Sequence, residues 1–141
     1  MIIMAIDPGG MNGIYWWNAD YQDDGFAQVK LKDLPEWLEA HSPTPELIVY
    51  ENYRLWSHKA KQQSGSDMPA PQAVGMIKSY AAIHNIELFD QSPQILTSAE
   101  KMSQVKMPAD HSQSHWISAY LHGYWYLVKN GYRTVDLGDL A

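Results

Sequence analysis

Two short apolar segments, each ending on a carboxylate, most constrain how this chain can fold. Residues 1–7 read MIIMAID, and residues 47–51 read LIVYE. A short apolar run bounded by turn residues is typical of a buried strand, so we predict strands that end at Asp7 and Glu51. If these strands are neighbours in one sheet, both carboxylates emerge at the same edge. Burying a carboxylate alone is unfavourable, so this edge is the first place to look for a functional site.

The rest of the chain alternates between strand and helix patterns. Aromatic and β-branched residues predict two more strands, at 13–17 and 26–31, separated by a turn at Asp23-Asp24-Gly25. The next predicted elements, in chain order, are a helix over 34–40, a helix over 71–84 and a strand over 86–90. A helix from Thr97 to about Lys106 follows, with capping-box spacing between Thr97 and Glu100. The last predicted helix starts at Asp110 or Ser112 and ends near Asn130, before Gly131. This order predicts an α/β fold whose mixed five-stranded sheet, an antiparallel meander plus parallel strands, is flanked by helices.

Length and composition favour one globular domain. The chain has 141 residues, 45% of them hydrophobic, and we expect a single domain over 1–141 with a mobile tail at 131–141. It lacks a signal-peptide pattern and any run of about 18 apolar residues, so we expect no membrane association. The absence of cysteine excludes disulfides and thiolate metal sites. These features together predict a cytoplasmic protein.

The charge of the chain is unevenly distributed. Its net charge is −6, which argues against non-specific binding of nucleic acid. Residues 1–53 carry 2 basic and 9 acidic side chains, whereas residues 54–106 carry 6 basic and 4 acidic ones. The locally basic middle is compatible with a polyanionic substrate, and the alternative is a solvated surface of uneven charge.

A divalent cation would relieve the repulsion between Asp7 and Glu51, and hard carboxylate ligands select Mg²⁺ or Mn²⁺. The alternatives are that Asp7 accepts hydrogen bonds from the Gly9 and Gly10 amides and that Glu51 reaches solvent. In the predicted last helix, polar side chains share one face at His111, His115, Ser118 and His122. Such a face could supply further ligands or a general base, or it could be polar surface. The HExxH motif of metalloproteases is absent.

Four segments resemble RuvC-type Holliday-junction resolvases, especially their short bacteriophage-type members. The opening MAIDPGGMNGIYWW is similar to the first strand, DPG turn and second strand of that family, and VYEN is similar to its second acidic motif. The segment SGSDMPAPQAVGMIKSYA, with Gln72 and Gly75 at matching spacing, resembles the helix after the DNA-contacting loop. The segment HSQSHWISAYLHGYWYL resembles the last helix.

The resemblance implies an RNase H-like fold, a homodimer and a metal site that uses Mg²⁺, with Mn²⁺ as a substitute. Asp7 and Glu51 match the first two acidic positions. The family's last motif places Asp or His three residues before an Asp-Ala pair, and here His115 precedes Ser118-Ala119 at that spacing, or His111 precedes Ser114. Asp110 could be the compensating carboxylate. The implied catalytic residues are Asp7, Glu51, Asp110, His111 and His115, and the implied metal ligands are Asp7, Glu51, Asp110 and His115.

The function implied is structure-selective cleavage of branched DNA by two-metal phosphodiester hydrolysis, in a bacterial or phage-infected cell. The residues expected to contact DNA are Tyr53, Arg54, Trp56, His58, Lys59, Lys61 and Lys78; the alternative is a mobile surface segment anchored by its aromatics. Serine at the usual aspartate position leaves open a non-catalytic junction-binding protein. A third possibility is a nucleotide-binding module of the actin-like type, against which the short chain argues, because that fold needs two lobes.

Overall fold

A five-stranded mixed sheet forms the centre of the protein. The structure, a computed structural model, describes residues 1–52, 68–108 and 114–133. The strands are, in chain order, β1 (Ile2–Asp7), β2 (Met11–Asn18), β3 (Asp23–Lys30), β4 (Leu47–Glu51) and β5 (Glu87–Gln91), and they lie side by side in the order β3-β2-β1-β4-β5. The first three strands are antiparallel neighbours, whereas β4 runs parallel to β1 and β5 parallel to β4. The predicted α/β fold class is confirmed.

In the described part of the chain, the α-helices are α1 (Leu34–Ala40), α2 (Pro69–His84), α3 (Leu96–Ser103) and α4 (Ser114–Lys129). Helices α1 and α2 pack on one face of the sheet and α4 on the other, while α3 packs against α4. Successive residues of a strand point to opposite faces, so Ile6 packs with α1 and α2, whereas Ala5 packs with α4. None of the helices in the described part of the chain is long and apolar enough to cross a membrane.

The predicted turn at Asp23-Asp24-Gly25 is wrong, because these residues lie within β3. The chain reverses earlier, at residues 19–22, where Gln22 has a φ of 55°. Gly25 pairs with Trp16 across the β2–β3 ladder, and a Cβ at Gly25 would lie 2.3 Å from the Trp16 ring. The glycine therefore makes room for a tryptophan rather than forming a turn.

The predicted capping box at Thr97 is also wrong. Helix α3 begins at Leu96, and Glu100 accepts a hydrogen bond from the backbone N–H of Met107 at 3.2 Å instead of reaching back to the helix start. The helix ends at Ser103 rather than near Lys106, because Gln104 adopts a left-handed conformation with a φ of 62°.

The last helix packs unusually close to the sheet. Gly13 of β2 faces the backbone of α4, and a Cβ at Gly13 would lie 1.8 Å from the His115 carbonyl oxygen. Further along, Gly123 of α4 lies against Tyr15, where a Cβ would come within 2.8 Å of the ring. Glycines on both sides thus let α4 approach β2 closely. This contact fixes which face of α4 meets the strand ends. Helix α4 is followed by Gly131 with a φ of 78°, in agreement with the predicted stop, whereas Asp110 and Ser112 lie outside the described residues.

Candidate functional site

Asp7 and Glu51 meet at one edge of the sheet. Ile6 and Tyr50 are partners in the parallel β1–β4 ladder, so the residues that follow them, Asp7 and Glu51, end the two strands side by side. Their carboxyl groups hydrogen-bond to each other. Two carboxyl groups can share a hydrogen bond only when a proton lies between them. The predicted convergence of the two side chains at one sheet edge is therefore confirmed.

The environment of this pair divides one proton unequally between the two groups. Burial, together with the contact to Glu51, raises the pKa of Asp7 to about 8, although a hydrogen bond from Ser118 opposes the shift. Burial also disfavours the ionised form of Glu51, but the facing His122 and the bond with Asp7 outweigh it and lower the pKa of Glu51. The pair therefore retains a proton to a higher pH than an isolated carboxyl group would. A divalent cation could replace that proton.

Helix α4 presents two polar side chains to the carboxyl pair, one turn apart. Ser118 is buried and its hydroxyl donates to Asp7. His122 is fully buried, with Nδ1 3.0 Å from Gln91 Oε1 and Nε2 3.9 Å from Glu51 Oε2. Within the described part of the chain, Nε2 has no hydrogen-bond partner. The site therefore combines two carboxyl groups, a hydroxyl and an imidazole nitrogen.

These donors fit a divalent metal ion. The two carboxyl groups hold a proton that a cation could displace, and an unpartnered buried imidazole nitrogen lies next to them. Among residues 1–52, 68–108 and 114–133, no three His, Asp or Glu side chains already form a metal-binding cluster. The arrangement is instead two contacts that share Glu51, one with Asp7 and one with His122.

The turn after β1 shows why Asp7 is available. The amide of Gly9 donates to Asn12 Oδ1 at 3.1 Å, and Asn12 Nδ2 donates to the Val29 carbonyl at 3.1 Å. Asn12 is fully buried. The alternative interpretation had the Gly9 amide donating to Asp7. In the structure that amide donates to Asn12 instead.

The other predicted catalytic residues, Asp110, His111 and His115, precede Ser118 in the sequence. His115 is half-buried near the start of α4, where its carbonyl lies against Gly13. Of the described side chains of α4, Ser118 and His122 are the ones that contact the two carboxyl groups. Asp110 and His111 lie outside the described residues, and their roles, like that of His115, remain predictions.

Most of the predicted DNA-contacting residues also lie outside the described part of the chain, namely Tyr53, Arg54, Trp56, His58, Lys59 and Lys61. Lys78 is described and exposed on α2. It lines an open cleft with Tyr50, Asn52 and Asp90, which lie at the ends of β4 and β5. The cleft therefore borders the same end of the sheet as Glu51.

Two site residues were not assigned a role from the sequence. His122 falls on the predicted polar face of the last helix. Residues seven positions apart share a helix face, so the spacing did not show whether His115 or His122 would contact the carboxyl groups. Gln91 ends β5, and its partner His122 is 31 positions away in the sequence. No local pattern marks such a contact.

Comparison with known proteins gives a match in structure alone. No protein-family model matches the chain, and no curated protein sequence matches it. Among solved structures, T. thermophilus RuvC in complex with a Holliday junction substrate has a TM-score of 0.59 to this chain at 14% sequence identity. The match covers 94% of this chain and 98% of the RuvC chain. At this identity the similarity shows the fold, which is RNase H-like and of the RuvC type.

Proposed function

We propose that this protein is a divalent-metal-dependent endonuclease that cleaves branched DNA, with Holliday junctions as the substrate class. The observation that carries the proposal is the half-buried pair of Asp7 and Glu51 at the ends of adjacent parallel strands. The pair lies on a sheet whose structural neighbour is a RuvC protein solved with a Holliday junction substrate. The four sequence segments that resemble RuvC-type resolvases support the same function.

In this proposal the chain's own groups hold and orient the ion and the DNA. Asp7 and Glu51 bind Mg²⁺ or Mn²⁺, and the ion supplies activation of water and neutralisation of phosphate charge. Ser118 keeps the Asp7 carboxyl group in place through its hydrogen bond. His115, together with Asp110 and His111, remains a candidate for a further ligand or for proton transfer.

The basic middle of the chain supplies the DNA contacts in this proposal. Residues 53–61 begin two positions after Glu51 in the sequence, and Lys78 is exposed at the cleft beside the ends of β4 and β5. Lysine and arginine there would bind phosphates, while Tyr53 or Trp56 would stack on unpaired bases. A homodimer would carry two such sites and cut two strands of a junction symmetrically.

One contact favours a second candidate function, a junction-binding protein without nuclease activity. The family pattern has an aspartate where this chain has Ser118, and in the structure the Ser118 hydroxyl contacts Asp7. A hydroxyl is a weaker ligand for Mg²⁺ than a carboxylate. The two functions differ in whether DNA is cut, and not in whether it is bound.

A junction-cleavage assay separates these functions. The full chain is incubated with a labelled four-way junction and with linear duplex, in Mg²⁺, in Mn²⁺ and in chelator. We expect metal-dependent cleavage of the junction, reduced about a hundredfold or more by Asp7→Asn and by Glu51→Gln, with junction binding changed by less than about threefold. Asp23→Asn, an exposed carboxylate of β3, is the control and should cut like the wild type.

Undiminished cutting by either site variant would refute the assigned metal site. Junction binding without cutting in either metal would favour the non-catalytic function. Binding of ATP in the absence of any junction binding would favour the nucleotide-binding module.

A further inference from the structure

We propose that His122 Nε2 is a metal ligand that shares an ion with Glu51, so that the site prefers Mn²⁺ and later transition metals over Mg²⁺. This inference rests on the proposed metal-dependent function and deepens it. The resemblance implies an Mg²⁺ site and assigns the last-helix ligands to positions before Ser118. It gives His122 no role.

The hydrogen bond to Gln91 fixes the tautomer of His122. Gln91 Oε1 is an amide oxygen and can only accept, so the ring nitrogen 3.0 Å from it, Nδ1, must carry a proton. Nε2, the other ring nitrogen, faces Glu51 Oε2. A metal-binding histidine usually donates its other ring N–H to a protein acceptor in this way.

The distance between His122 and Glu51 fits two ligands of one ion better than a direct bond. Nε2 and Oε2 are 3.9 Å apart, well beyond the roughly 2.9 Å of a hydrogen bond between nitrogen and oxygen. Metal–nitrogen and metal–oxygen bonds of about 2.1 Å place two ligands of one ion at most about 4.2 Å apart. The observed separation lies within that limit.

Burial makes an unpartnered Nε2 unfavourable without such an ion. His122 is 0% exposed, and its Nε2 lies 3.9 Å from Glu51 Oε2 without a hydrogen-bond partner in the described part of the chain. The ring of His41 also has an Nε2 without a hydrogen-bond partner, but that ring stacks on Trp37 and packs edge-on against Trp16. Aromatic packing surrounds the His41 ring, whereas the Nε2 of His122 faces the Glu51 carboxyl group.

The imidazole determines which metals the site should prefer. Carboxylate and water ligands suit Mg²⁺, whereas affinity for a site with a nitrogen ligand rises along the first transition series from Mn²⁺. Replacing a carboxylate with an imidazole should therefore raise the affinity for Mn²⁺ relative to Mg²⁺. The quantity to measure is the ratio of the two affinities, because added or lost charge alone would change both in the same direction.

The first experiment measures that ratio on the full chain. Mn²⁺ binding is followed by electron paramagnetic resonance, and Mg²⁺ binding by competition with Mn²⁺. We expect His122→Asn to lower the preference for Mn²⁺ over Mg²⁺ by about tenfold or more. The control is His84→Gln, which removes a surface histidine 2.9 Å from Glu39 and should leave the ratio unchanged. An unchanged ratio in folded His122→Asn would overturn the proposal.

A second measurement uses the wild type, and so does not depend on whether the variant folds. With ¹⁵N-labelled histidine and ¹¹³Cd²⁺, direct ligation predicts a one-bond nitrogen–cadmium coupling at Nε2 of His122, with Nδ1 still protonated. If cadmium binds in a way that Glu51→Gln abolishes, but without that coupling, the role of His122 is overturned while the proposed metal-dependent function stands. If no divalent ion binds at a site that requires Asp7 or Glu51, the proposed function is overturned as well.

Discussion

The two halves of the candidate site, one carried by strands and the other by a helix, are held in place by different interactions. Asp7 and Glu51 end β1 and β4, and the backbone ladder between these strands fixes their separation. Ser118 and His122 belong to α4, whose position depends on how closely it packs against β2 at Gly13. The strand half should therefore tolerate changes in packing, whereas the helix half should respond to a single added methyl group.

The largest effect is expected where the two halves are joined. Gly13→Ala would place a Cβ 1.8 Å from the His115 carbonyl oxygen, so β2 and α4 would have to move apart. We expect a loss of about 3 kcal/mol in the free energy of unfolding, measured by urea denaturation. Gly75→Ala is the control, because Gly75 is exposed on α2 with no atom near its added Cβ, and it should stabilise by about 0.5–1 kcal/mol. Equal stability of the Gly13 variant and the wild type would show that α4 is not held by this contact.

A pH series on the metal-free protein tests the strand half. The folded pKa of Asp7, about 8, lies above the ordinary aspartate value of 3.8, so from about pH 4 to pH 8 the folded state holds a proton that the unfolded state has released. Stability should therefore fall as the pH rises through this range, while Glu51, with a lowered pKa, titrates below it. We expect the Tm of the wild type to drop by at least about 5 °C between pH 5 and pH 8.

Two comparisons identify Asp7 as the cause of that drop. Asp7→Asn should show a flatter profile and a higher Tm than the wild type at pH 8, whereas Asp23→Asn should follow the wild type. Adding Mn²⁺ at pH 8 should raise the Tm of the wild type and leave that of Asp7→Asn nearly unchanged. Parallel profiles for the wild type and Asp7→Asn would contradict the proton shared with Glu51.

The smallest effect is expected from the helix half alone. Ser118→Ala removes the hydrogen bond to Asp7, which should lower the free energy of unfolding by about 1 kcal/mol and raise the pKa of Asp7 further. Ser79→Ala, at an exposed position of α2, is the control and should change stability by less than about 0.5 kcal/mol. Calorimetry of both variants gives the difference. Equal values would mean that Ser118 does not support the carboxyl pair.

The same contrast explains how much of the molecule could be predicted from its sequence. Strand β4 and helix α1 have the predicted bounds, Leu47–Glu51 and Leu34–Ala40, because apolar runs and proline breaks are local signals. The convergence of Asp7 and Glu51 followed from one assumption, that their strands are neighbours. The turn at Gly25 was wrong because the role of that glycine depends on Trp16 in the next strand.

From the sequence, the helix half of the site could be predicted only as one polar face of the last helix. Spacing places His115, Ser118 and His122 on one side of the last helix, but it does not say which of them meets the strand ends. That choice depends on the contact between Gly13 and the backbone of α4, which joins residues about a hundred positions apart. The role of Gln91 depends on the same packing, since its partner is His122. Such contacts leave no periodic pattern in a single sequence.

The glycine opposite Asp7 also bears on how distant relatives of this protein can be found. Gly13 is the cross-strand partner of Asp7, so the acidic group and the position without a side chain are tied together by backbone pairing. Substitutions at surface positions or at Ser118 and His122 leave this pairing intact, whereas the partner of Asp7 changes only if the register of β1 and β2 shifts. An aspartate followed six positions later by glycine, at the start of a β-hairpin, is thus a compact search pattern for ancestry.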